Sequence, residues 1–378
     1  MRYTVGERHE RILELVREHG TLRVTDLADH LGMSTVTVRR DVEVLSSAGR
    51  LDRVRGAVSW PGAPVSAGRG PLQNPITAPA PVAAGEGPAI GLVVPQSQHY
   101  FGEIVRGVRD AVQEAGGRLV LGFSGYVPGQ DEVQARRLLE SGVAGLLLTP
   151  GWMSDGAEQD APDLDFGVPT VLLERRPVPG TRAAEFDHVC SDHYAGAGLA
   201  VRHLASLGHR NIALVAGASA TGVQVRDGYE TALRTIGIAE PPIDPIDLYL
   251  GALDMSRVEA AAVQLAEAVA EGKVTAALVL SDTDAILLVQ QLRAMEPQLK
   301  VPEDVAIVAY DDEVAALSDL PLTAVAPPKY EVGQAAVHLL LRRIREAADA
   351  PGRTTARRHL ALLPELRVRR SCGAGPTG

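Results

Sequence analysis

The sequence contains little cysteine, little lysine and few aromatic residues. Its 378 residues include only two cysteines, Cys190 and Cys372, which excludes a disulfide framework and any metal site built from several cysteines. Three of the 37 basic residues are lysines, a bias that indicates a GC-rich genome more than a function. The sequence also has no apolar stretch of about eighteen residues and no signal-peptide core near its start. We therefore expect no membrane span, no export signal and a cytoplasmic location.

Length and charge divide the chain into unlike parts. At 378 residues it is too long for one compact domain, and two or three domains are expected. The net charge is −10, yet residues 1–60 contain ten arginines and nine acidic residues, so they carry +1 and residues 61–378 carry −11. That acidity argues against a nucleic-acid or anionic-membrane surface in the larger part. Residues 61–88 contain seven prolines among small residues, which is typical of a semi-extended linker.

Two short helices joined by a tight turn are predicted in residues 1–60. Residues 24–32 form the first helix, which ends at Gly32, and Ser34 is placed to cap the second. The apolar residues of the second helix fall on one face, at Val38, Val42 and Leu45. The opposite face carries Val36, Arg39, Arg40 and Glu43. Such a helix suits a DNA major groove, where arginine binds guanine or phosphate. The alternative is a solvated ion pair between Glu43 and either arginine.

A segment with the pattern of a β-wing follows these helices. Residues 50–58 alternate charged and apolar residues and contain Gly56. From Arg11 to Val58 the chain resembles the winged helix-turn-helix of the DeoR family. The resemblance is carried by Arg11-Ile12-Leu13, Asp26-Leu27-Ala28, Ser34 to Asp41, and Arg53 to Val58. Arg55 and Ala57 replace the family's usual histidine and second glycine. DNA contacts are predicted from Ser34, Thr35, Val36, Thr37, Arg39, Arg40, Arg53 and Arg55.

From Ala89 onward, short β-branched or leucine-rich runs alternate with amphipathic helical patterns. Strands are predicted at 90–94, 118–122, 145–149, 170–173, 212–216, 246–250, 276–280 and 305–309. Helices are predicted at 101–115, 131–141, 195–207, 226–236, 256–270, 283–295 and 331–345. This rhythm predicts an α/β fold with parallel sheets covered on both faces, and the number of strands predicts two lobes with a cleft between them.

Residues 89–366 resemble the effector domain of the LacI/GalR family, itself similar to periplasmic sugar-binding proteins. The resemblance is carried, in order, by Ile90 to Pro95, Asp192 to Ala197, His203 to Ala213, Val301 to Ala306, Tyr310 to Asp312, and Pro321 to Val325. Residues 367–378 are expected to form a C-terminal tail. The family's Tyr-x-Pro-Asn hinge helix is missing, so a minor-groove hinge mechanism is not implied. We expect a homodimer that pairs through helices 101–115 and 131–141 on a pseudo-palindromic operator.

Ligand-binding residues are predicted at strand ends that border the cleft. A site for a sugar or related polyol needs apolar platforms for C–H faces and charged acceptors for hydroxyls. The resemblance implies that Tyr100 and Phe101 lie in a ligand-facing loop and that Tyr249 occupies a stacking position in the second lobe, and it matches Asp311 to the family's acidic ligand residue. Glu174 and Ser281 stand where the family usually has Asp and Asn. The alternatives are core packing for each aromatic residue and a structural cap for Asp311. The predicted set is Tyr100, Phe101, Phe123, Trp152, Glu174, Arg226, Tyr249, Ser281 and Asp311.

The sequence patterns that resemble catalytic or metal-binding motifs are incomplete or have a simpler explanation. Gly217 and Gly222 have the glycine spacing of a P-loop, but Val223-Gln224 follow in place of Lys-Ser/Thr. Asp282-Thr283-Asp284 resembles a metal-binding Asp-x-Asp, but at the start of a helix it is better explained by capping. No Ser/His/Asp order with a nucleophile-elbow pattern is present in the sequence. We predict no enzyme activity, no cofactor and no metal.

The two resemblances together predict a transcriptional regulator, namely a repressor of a carbohydrate-utilisation operon. Its expected partners are double-stranded operator DNA and a small sugar-like effector. A regulator of the same architecture that responds to a nucleoside or purine is an alternative within this interpretation. A solute-binding protein would share the sensor fold, but it would need an export signal and would have no DNA-binding head. Whether the ligand releases or promotes DNA binding stays open.

Overall fold

The computed structural model divides into two units, Met1–Ala80 and Pro81–Gly378. The structure describes residues 9, 11–13, 15–16, 21–23, 27–28, 33, 37–38, 41–42, 45, 52–54, 57–59, 87–96, 100–127, 129–151, 166–248, 254–350 and 355–374. Of the linker predicted at 61–88, only residues 87–88 are among them. No helix within these ranges is both long and apolar enough to cross a membrane.

The N-terminal unit packs helical residues around a small apolar core. Val38 and Val42 on the second predicted helix are completely buried and Leu45 is 3% exposed, which confirms the predicted inner face. They pack with apolar residues from the preceding segments because an amphipathic helix is stable only when its apolar face is covered. These partners are Ile12, Leu13, Leu15, Val16, Leu27 and Ala28.

A three-stranded antiparallel sheet completes this unit. It consists of β1 (Thr21–Arg23), β2 (Asp52–Val54) and β3 (Ala57–Ser59) in the order β1-β3-β2. Arg53 lies opposite Val58 in the β2–β3 pair, so the predicted wing is a β-hairpin. The β1 strand pairs with β3 and was not indicated by the sequence pattern.

The first lobe of the larger unit contains a six-stranded sheet whose neighbouring strands are all parallel. Its strand order is β13-β8-β7-β6-β4-β5. The central strands are buried on both faces, which explains their continuous apolar runs. The strands are β4 (Ala89–Val94), β5 (Arg118–Phe123), β6 (Gly145–Leu148), β7 (Thr170–Leu173), β8 (Asp187–Ser191) and β13 (His359–Leu362).

Three helices cover this sheet: α1 (Tyr100–Glu114), α2 (Gln130–Glu140) and α7 (Lys329–Asp349). The α1 and α7 helices approach closely where Gly107 faces the Tyr330 carbonyl and Gly333 faces the Ile104 carbonyl. A Cβ atom at either glycine would overlap the opposing carbonyl, so this contact requires glycine on both helices.

The second lobe contains a five-stranded sheet in the order β14-β12-β11-β10-β9. Four of its strands are parallel, and β14 joins the edge of β12 in the antiparallel sense. The strands are β9 (Ile212–Val215), β10 (Ala276–Val279), β11 (Ala306–Tyr310), β12 (Thr323–Ala326) and β14 (Glu365–Arg367). The helices are α3 (His193–Ser206), α4 (Ala220–Thr235), α5 (Met255–Ala270) and α6 (Asp282–Ala294).

The chain passes between the lobes three times. It leaves β8 of the first lobe and enters α3 of the second at His193, and it returns from β12 into α7 at Lys329. The third passage joins β13 to β14 through residues 363–364. Side chains at these passages are therefore placed to contact both lobes.

The predicted α/β architecture with two lobes is confirmed, and several element boundaries differ from the prediction. The predicted strand at 246–250 is reduced, within the described residues, to one bridge between Ile246 and Val215. The α4 helix begins at Ala220, where Ser219 caps it, rather than at Arg226. Strands β8, β12, β13 and β14 were not predicted. The β8 sequence includes Asp187 and His188, whose burial depends on tertiary partners.

The residues expected as a C-terminal tail lie against the second lobe as far as Ala374. The Ile307 N–H donates to the Ser371 carbonyl at 2.8 Å, and the Ser371 hydroxyl donates to the Ile307 carbonyl at 2.6 Å. Cys372 is 1% exposed and joins the apolar core of this lobe.

Candidate functional site

Residues that follow strands in both lobes meet in one buried polar cluster, the interlobe cluster. It includes two carboxylates, Glu174 after β7 and Asp311 after β11, one from each lobe. Because ligands bind at the carboxyl ends of parallel strands, this cluster marks the candidate site. Its members are Tyr100, Glu174, Ser191, His193, Tyr310, Asp311 and Lys329.

Glu174 is held by first-lobe hydrogen bonds. Its Oε1 accepts from the Ser191 hydroxyl at 2.6 Å and from the Tyr100 hydroxyl at 3.1 Å, and its Oε2 accepts from the Ser191 N–H at 3.1 Å. Burial acts to raise the pKa of Glu174, but His193 and the Ser191 bonds together outweigh it and lower the pKa. The backbone lies in the left-handed region at φ 52°, which side chains other than glycine seldom adopt. Glu174 is therefore a fixed, ionised acceptor.

His193 and Tyr310 connect the lobes. His193 is the first residue of α3, and its Nε2 lies 3.7 Å from Glu174 Oε2 in the first lobe. Its Nδ1 lies 3.3 Å from the Tyr310 hydroxyl in the second lobe. Burial, then the nearby Asp311 and Glu174 carboxylates, raises the pKa of Tyr310 well above its usual value, so this hydroxyl stays protonated.

Asp311 is the least satisfied member of the interlobe cluster. Its Oδ1 is buried and has no hydrogen-bond partner among the described residues. Burial raises the pKa of Asp311 to about 6, and the nearby Asp282 and Glu313 add to this against the opposing effect of Lys329 and His193. Its φ of 98° also lies in the left-handed region. Strain and an unpaired buried acceptor together are typical of a functional position.

Lys329 links the lobes at the second passage. Its Nζ donates to the Asp311 carbonyl at 2.7 Å and forms an ion pair with Glu313, both in the second lobe. The same Nζ lies 4.9 Å from the centre of the Tyr100 ring in the first lobe, a cation–π distance. The ring of Tyr100 is thereby positioned between Glu174 and the lysine.

Further polar atoms in the first lobe lack partners within the described residues. They are Ser124 Oγ after β5, Thr149 Oγ1 after β6 and Asp131 Oδ1 at the start of α2. The other oxygen of Asp131 accepts from the Gly151 N–H at 2.6 Å. Buried polar groups in native proteins are nearly always hydrogen-bonded, so these three oxygens are available to a bound molecule. These atoms can orient a ligand rich in hydroxyl groups.

The structure brings together only part of the predicted ligand set. Tyr100, Glu174 and Asp311 lie in the interlobe cluster. Phe101 is 3% exposed in the first-lobe core, where its ring packs edge-on against Tyr100 at 5.5 Å, and Phe123 is 43% exposed at the end of β5. The remaining positions are Arg226, exposed on α4, Ser281 at the N-cap of α6, and Trp152 and Tyr249, which lie outside the described residues.

The predicted DNA contacts fall mostly outside the described residues. Thr37 is helical and half-buried, and Arg53 lies in β2. Ser34, Thr35, Val36, Arg39, Arg40 and Arg55 are not described. Their DNA contacts stay predictions that rest on the buried inner face of the same helix and on the hairpin.

Sequence reasoning missed Ser191, His193, Tyr310 and Lys329 as site residues. Ser191 lies at the end of a strand that was not predicted, and His193 appeared only as part of a family-like stretch. A usable signal for Lys329 was its position after Pro327-Pro328 at a helix start, together with the scarcity of lysine in this chain.

The features that resemble enzyme motifs have structural roles. Asp282 Oδ2 accepts from the N–H groups of Val314 at 2.6 Å and Ala315 at 3.0 Å. Asp284 Oδ2 accepts from the Ser281 N–H at 3.3 Å as part of the capping box of α6, so the predicted capping role applies to Asp284, whereas Asp282 holds residues 314–315. Within the described ranges, no group of three or more His, Cys, Asp or Glu side chains is placed to hold a metal ion.

Two family models match the chain, and they match its two units separately. A DeoR-like helix-turn-helix domain matches residues 8–61. A periplasmic binding protein-like domain matches residues 201–372. A similar sequence is the HTH-type transcriptional repressor PurR of Vibrio atlanticus (strain LGP32), which is 30% identical over 263 residues covering 68% of this chain and 75% of that protein.

Solved structures of transcriptional regulators are also similar to this chain. A complex of the transcriptional regulator CelR with cellobiose is 30% identical, with a TM-score of 0.61, over 75% of this chain and 84% of that one. A LacI-family transcriptional regulator from Sanguibacter keddieii DSM 10542 is 28% identical, with a TM-score of 0.60, over 76% of this chain and 100% of that one.

Proposed function

Because this chain belongs to the LacI family of transcriptional regulators, we propose that it represses a carbohydrate-utilisation operon under the control of a sugar-like ligand. The chain is a sequence-specific DNA-binding regulator that combines a DeoR-like helix-turn-helix with a periplasmic-binding-protein-like domain. The ligand binds between the two lobes and changes the affinity of the protein for operator DNA.

One observation carries the ligand proposal: Glu174 and Asp311 each follow a strand, one in each lobe, and meet in one cluster, where Asp311 Oδ1 has no partner within the described residues. Hydroxyl groups donate well to such carboxylates. Cellobiose in the CelR complex supports a sugar as the ligand class. A nucleoside is the second candidate, because Phe123 offers an exposed ring at the end of β5 for stacking.

Ligand binding would act by favouring one arrangement of the lobes. A ligand that contacts both Glu174 and Asp311 has more partners when the lobes are close, so it stabilises a closed state. The ligand shifts the equilibrium only by its difference in affinity for the two states. A difference of about 1.4–3 kcal/mol changes operator occupancy about tenfold or more.

On the DNA side, two heads are proposed to act together. Residues 1–60 carry a net charge of only +1, so one head has modest affinity for phosphates. A homodimer that pairs through α1 and α2 would present two heads to a pseudo-palindromic operator and gain affinity by simultaneous binding. Arg39 and Arg40 would contact base edges or phosphates.

The experiment combines operator binding with a ligand screen on the full chain. We expect tight binding to DNA from the neighbouring intergenic region, and a change of tenfold or more when the correct sugar is added. Arg40→Ala is expected to abolish specific binding but to keep the thermal shift caused by the sugar. Arg234→Ala, an exposed arginine on α4, is the matched control and should bind DNA normally.

Two results would contradict this function. Unchanged operator affinity in Arg40→Ala would refute the assignment of the helix that carries Arg40 as the recognition helix. A response to nucleosides but to none of the sugars would show that the ligand is a nucleoside and not a sugar. The assignment as a DNA-binding regulator would not change.

A further inference from the structure

A cavity lies at the outer edge of the first-lobe sheet, and it shares no lining residue with the interlobe cluster. Its volume is about 390 Å³, which is enough for a small metabolite. The residues that line this edge pocket include Arg176, Pro177, Gly180, Ala184, His188 and His359. His188 lies near the start of β8, about 10 Å along the strand from Ser191 at its end.

Two histidines stack in this pocket. His188 on β8 and His359 on β13 are direct neighbours in the parallel pair, and their ring centres lie 4.1 Å apart with a 23° angle between planes. His188 is 6% exposed, yet its Nδ1 is buried and unpartnered within the described part of the chain. A buried polar atom of this kind indicates a partner that the protein itself does not supply.

The groups that can carry positive charge outnumber the available carboxylates. None of the eight described residues that line the cavity is acidic. Asp187 is engaged by Arg343 at 2.6 Å and by the Arg358 N–H at 2.7 Å, with Arg357 at 3.5 Å. The carboxylate of Asp192 lies 4.0 Å from Arg176 but accepts the Ala195 N–H of α3 at 2.9 Å.

The electrostatics of the edge pocket favour a bound anion. Burial, followed by the nearby His359 and Arg176, lowers the pKa of His188 to about 4, and Asp187 opposes this only in part. The thiol of Cys190 on the same strand stays neutral because burial raises its pKa to about 12. An anion in the pocket would offset the repulsion among Arg176, His188 and His359.

We propose that the edge pocket binds a small oxyanion, a metabolite carrying a phosphate or carboxylate group, between Arg176 and the stacked His188–His359 pair. Arg176 supplies a planar fork of donors that matches an oxyanion. Binding favours protonation of His188, whose ring is buried against Arg176 and His359, since a protonated ring both donates to the anion and balances its charge. The affinity therefore rises as the pH falls.

The edge pocket also lies close to the first passage between the lobes, where β8 leads into α3. Arg176 follows Glu174 by two residues and lies beside Asp192, which caps α3 immediately before His193. An anion that draws Arg176 away from Asp192 would alter that cap. This site does not depend on the proposed function, because anion binding is measured directly.

The test titrates the full chain with sodium sulfate by isothermal titration calorimetry, at constant ionic strength in chloride. Sulfate keeps its two negative charges across the pH range, so a pH effect reports the protein. We expect saturable binding that is about tenfold tighter at pH 5.5 than at pH 7.5. Sodium acetate, titrated in parallel, shows whether a carboxylate also binds or a tetrahedral anion is required.

Three variants locate the site. Arg176→Gln and His359→Phe, which keeps a stacked ring without its polar nitrogens, should each weaken sulfate binding at least tenfold. Arg118→Gln changes an exposed arginine at the opposite edge of the same sheet and should not alter it. Thermal unfolding, measured on each variant, shows that it is folded.

The proposal is overturned if neither anion binds saturably at either pH. It is also overturned if the affinity does not rise at the lower pH, if His359→Phe binds sulfate like the unmodified chain, or if Arg118→Gln weakens binding as much as Arg176→Gln.

Discussion

Replacing Asp311 with asparagine is expected to stabilise the protein and to remove its response to the ligand. Burial shifts the pKa of Asp311 from its ordinary 3.8 to about 6, so the folded state disfavours the ionised carboxylate. The folded chain holds this proton more tightly than the unfolded chain does. Ionisation therefore destabilises the fold above pH 6, and this effect disappears as the pH falls to 3.8.

The magnitude follows from the size of the shift. A difference of about two pKa units corresponds to about 3 kcal/mol at 1.36 kcal/mol per unit. Asparagine is neutral at every pH and tolerates the left-handed backbone of this position, where φ is 98°, better than most residues do. The amide NH₂ still needs a partner, so we expect Asp311→Asn to gain about 1–3 kcal/mol at pH 7.5.

The neighbouring residue Asp312 is the matched control, with the opposite expected sign. Its side chain is 2% exposed, and it accepts from Arg369 at 2.6 Å and from Arg367 at 2.8 Å. Its φ of 57° also lies in the left-handed region. Because Asp312→Asn removes one partner from a largely buried ion pair, it is expected to lose about 2–4 kcal/mol.

Thermal unfolding of the full chain at pH 7.5 and at pH 4.5 measures both variants. Asp311→Asn should raise the Tm by several degrees at pH 7.5, and this gain should shrink at pH 4.5. The change in operator affinity caused by the identified sugar should be lost. A lower Tm for Asp311→Asn at pH 7.5, or a gain that does not depend on pH, would refute the assignment of Asp311 as a strained, destabilising ligand acceptor.

Two further predictions concern the first-lobe framework. Gly107→Ala should lower the free energy of unfolding by about 1–3 kcal/mol or more, because the added methyl group would overlap the Tyr330 carbonyl. Thermal unfolding measures this loss, and Arg109→Ala, on the exposed face of the same helix, serves as the control. Arg343→Met should lose about 3–5 kcal/mol, because it leaves the Asp187 carboxylate without its buried cation. An equal loss in Arg345→Met, an exposed residue of the same helix, would contradict this reasoning.

Local patterns were sufficient to predict the kinds of element present. The inner face of the second N-terminal helix follows from apolar residues at i, i+4 and i+7, and the structure buries Val38, Val42 and Leu45 as expected. The runs at 145–149 and 170–173 became central parallel strands because continuous apolar sequence suits a strand buried on both faces.

Patterns failed where burial depends on a distant partner. Strand β8 contains Asp187 and His188, and the burial of Asp187 is offset by Arg343, which lies 156 residues away. Strand β13 returns to the first-lobe sheet after the chain has formed most of the second lobe. No local periodicity carries that information.

The candidate site was likewise predicted only in part from the sequence. The sequence, through its family resemblance, indicated Tyr100, Glu174 and Asp311 as separate candidates. Only the three passages between the lobes bring them to Ser191, His193, Tyr310 and Lys329.

The amino-acid sequence by itself determined the helix-turn-helix, the α/β rhythm and the two lobes, because amphipathic periodicity and apolar runs are local properties. The tertiary structure alone decided which carboxylate is satisfied and which is not. Glu174 is ionised because Ser191 and His193 surround it, whereas Asp311 has one oxygen, Oδ1, that is buried and unpaired among the described residues. The free energy of a buried charge depends on neighbours that folding brings together.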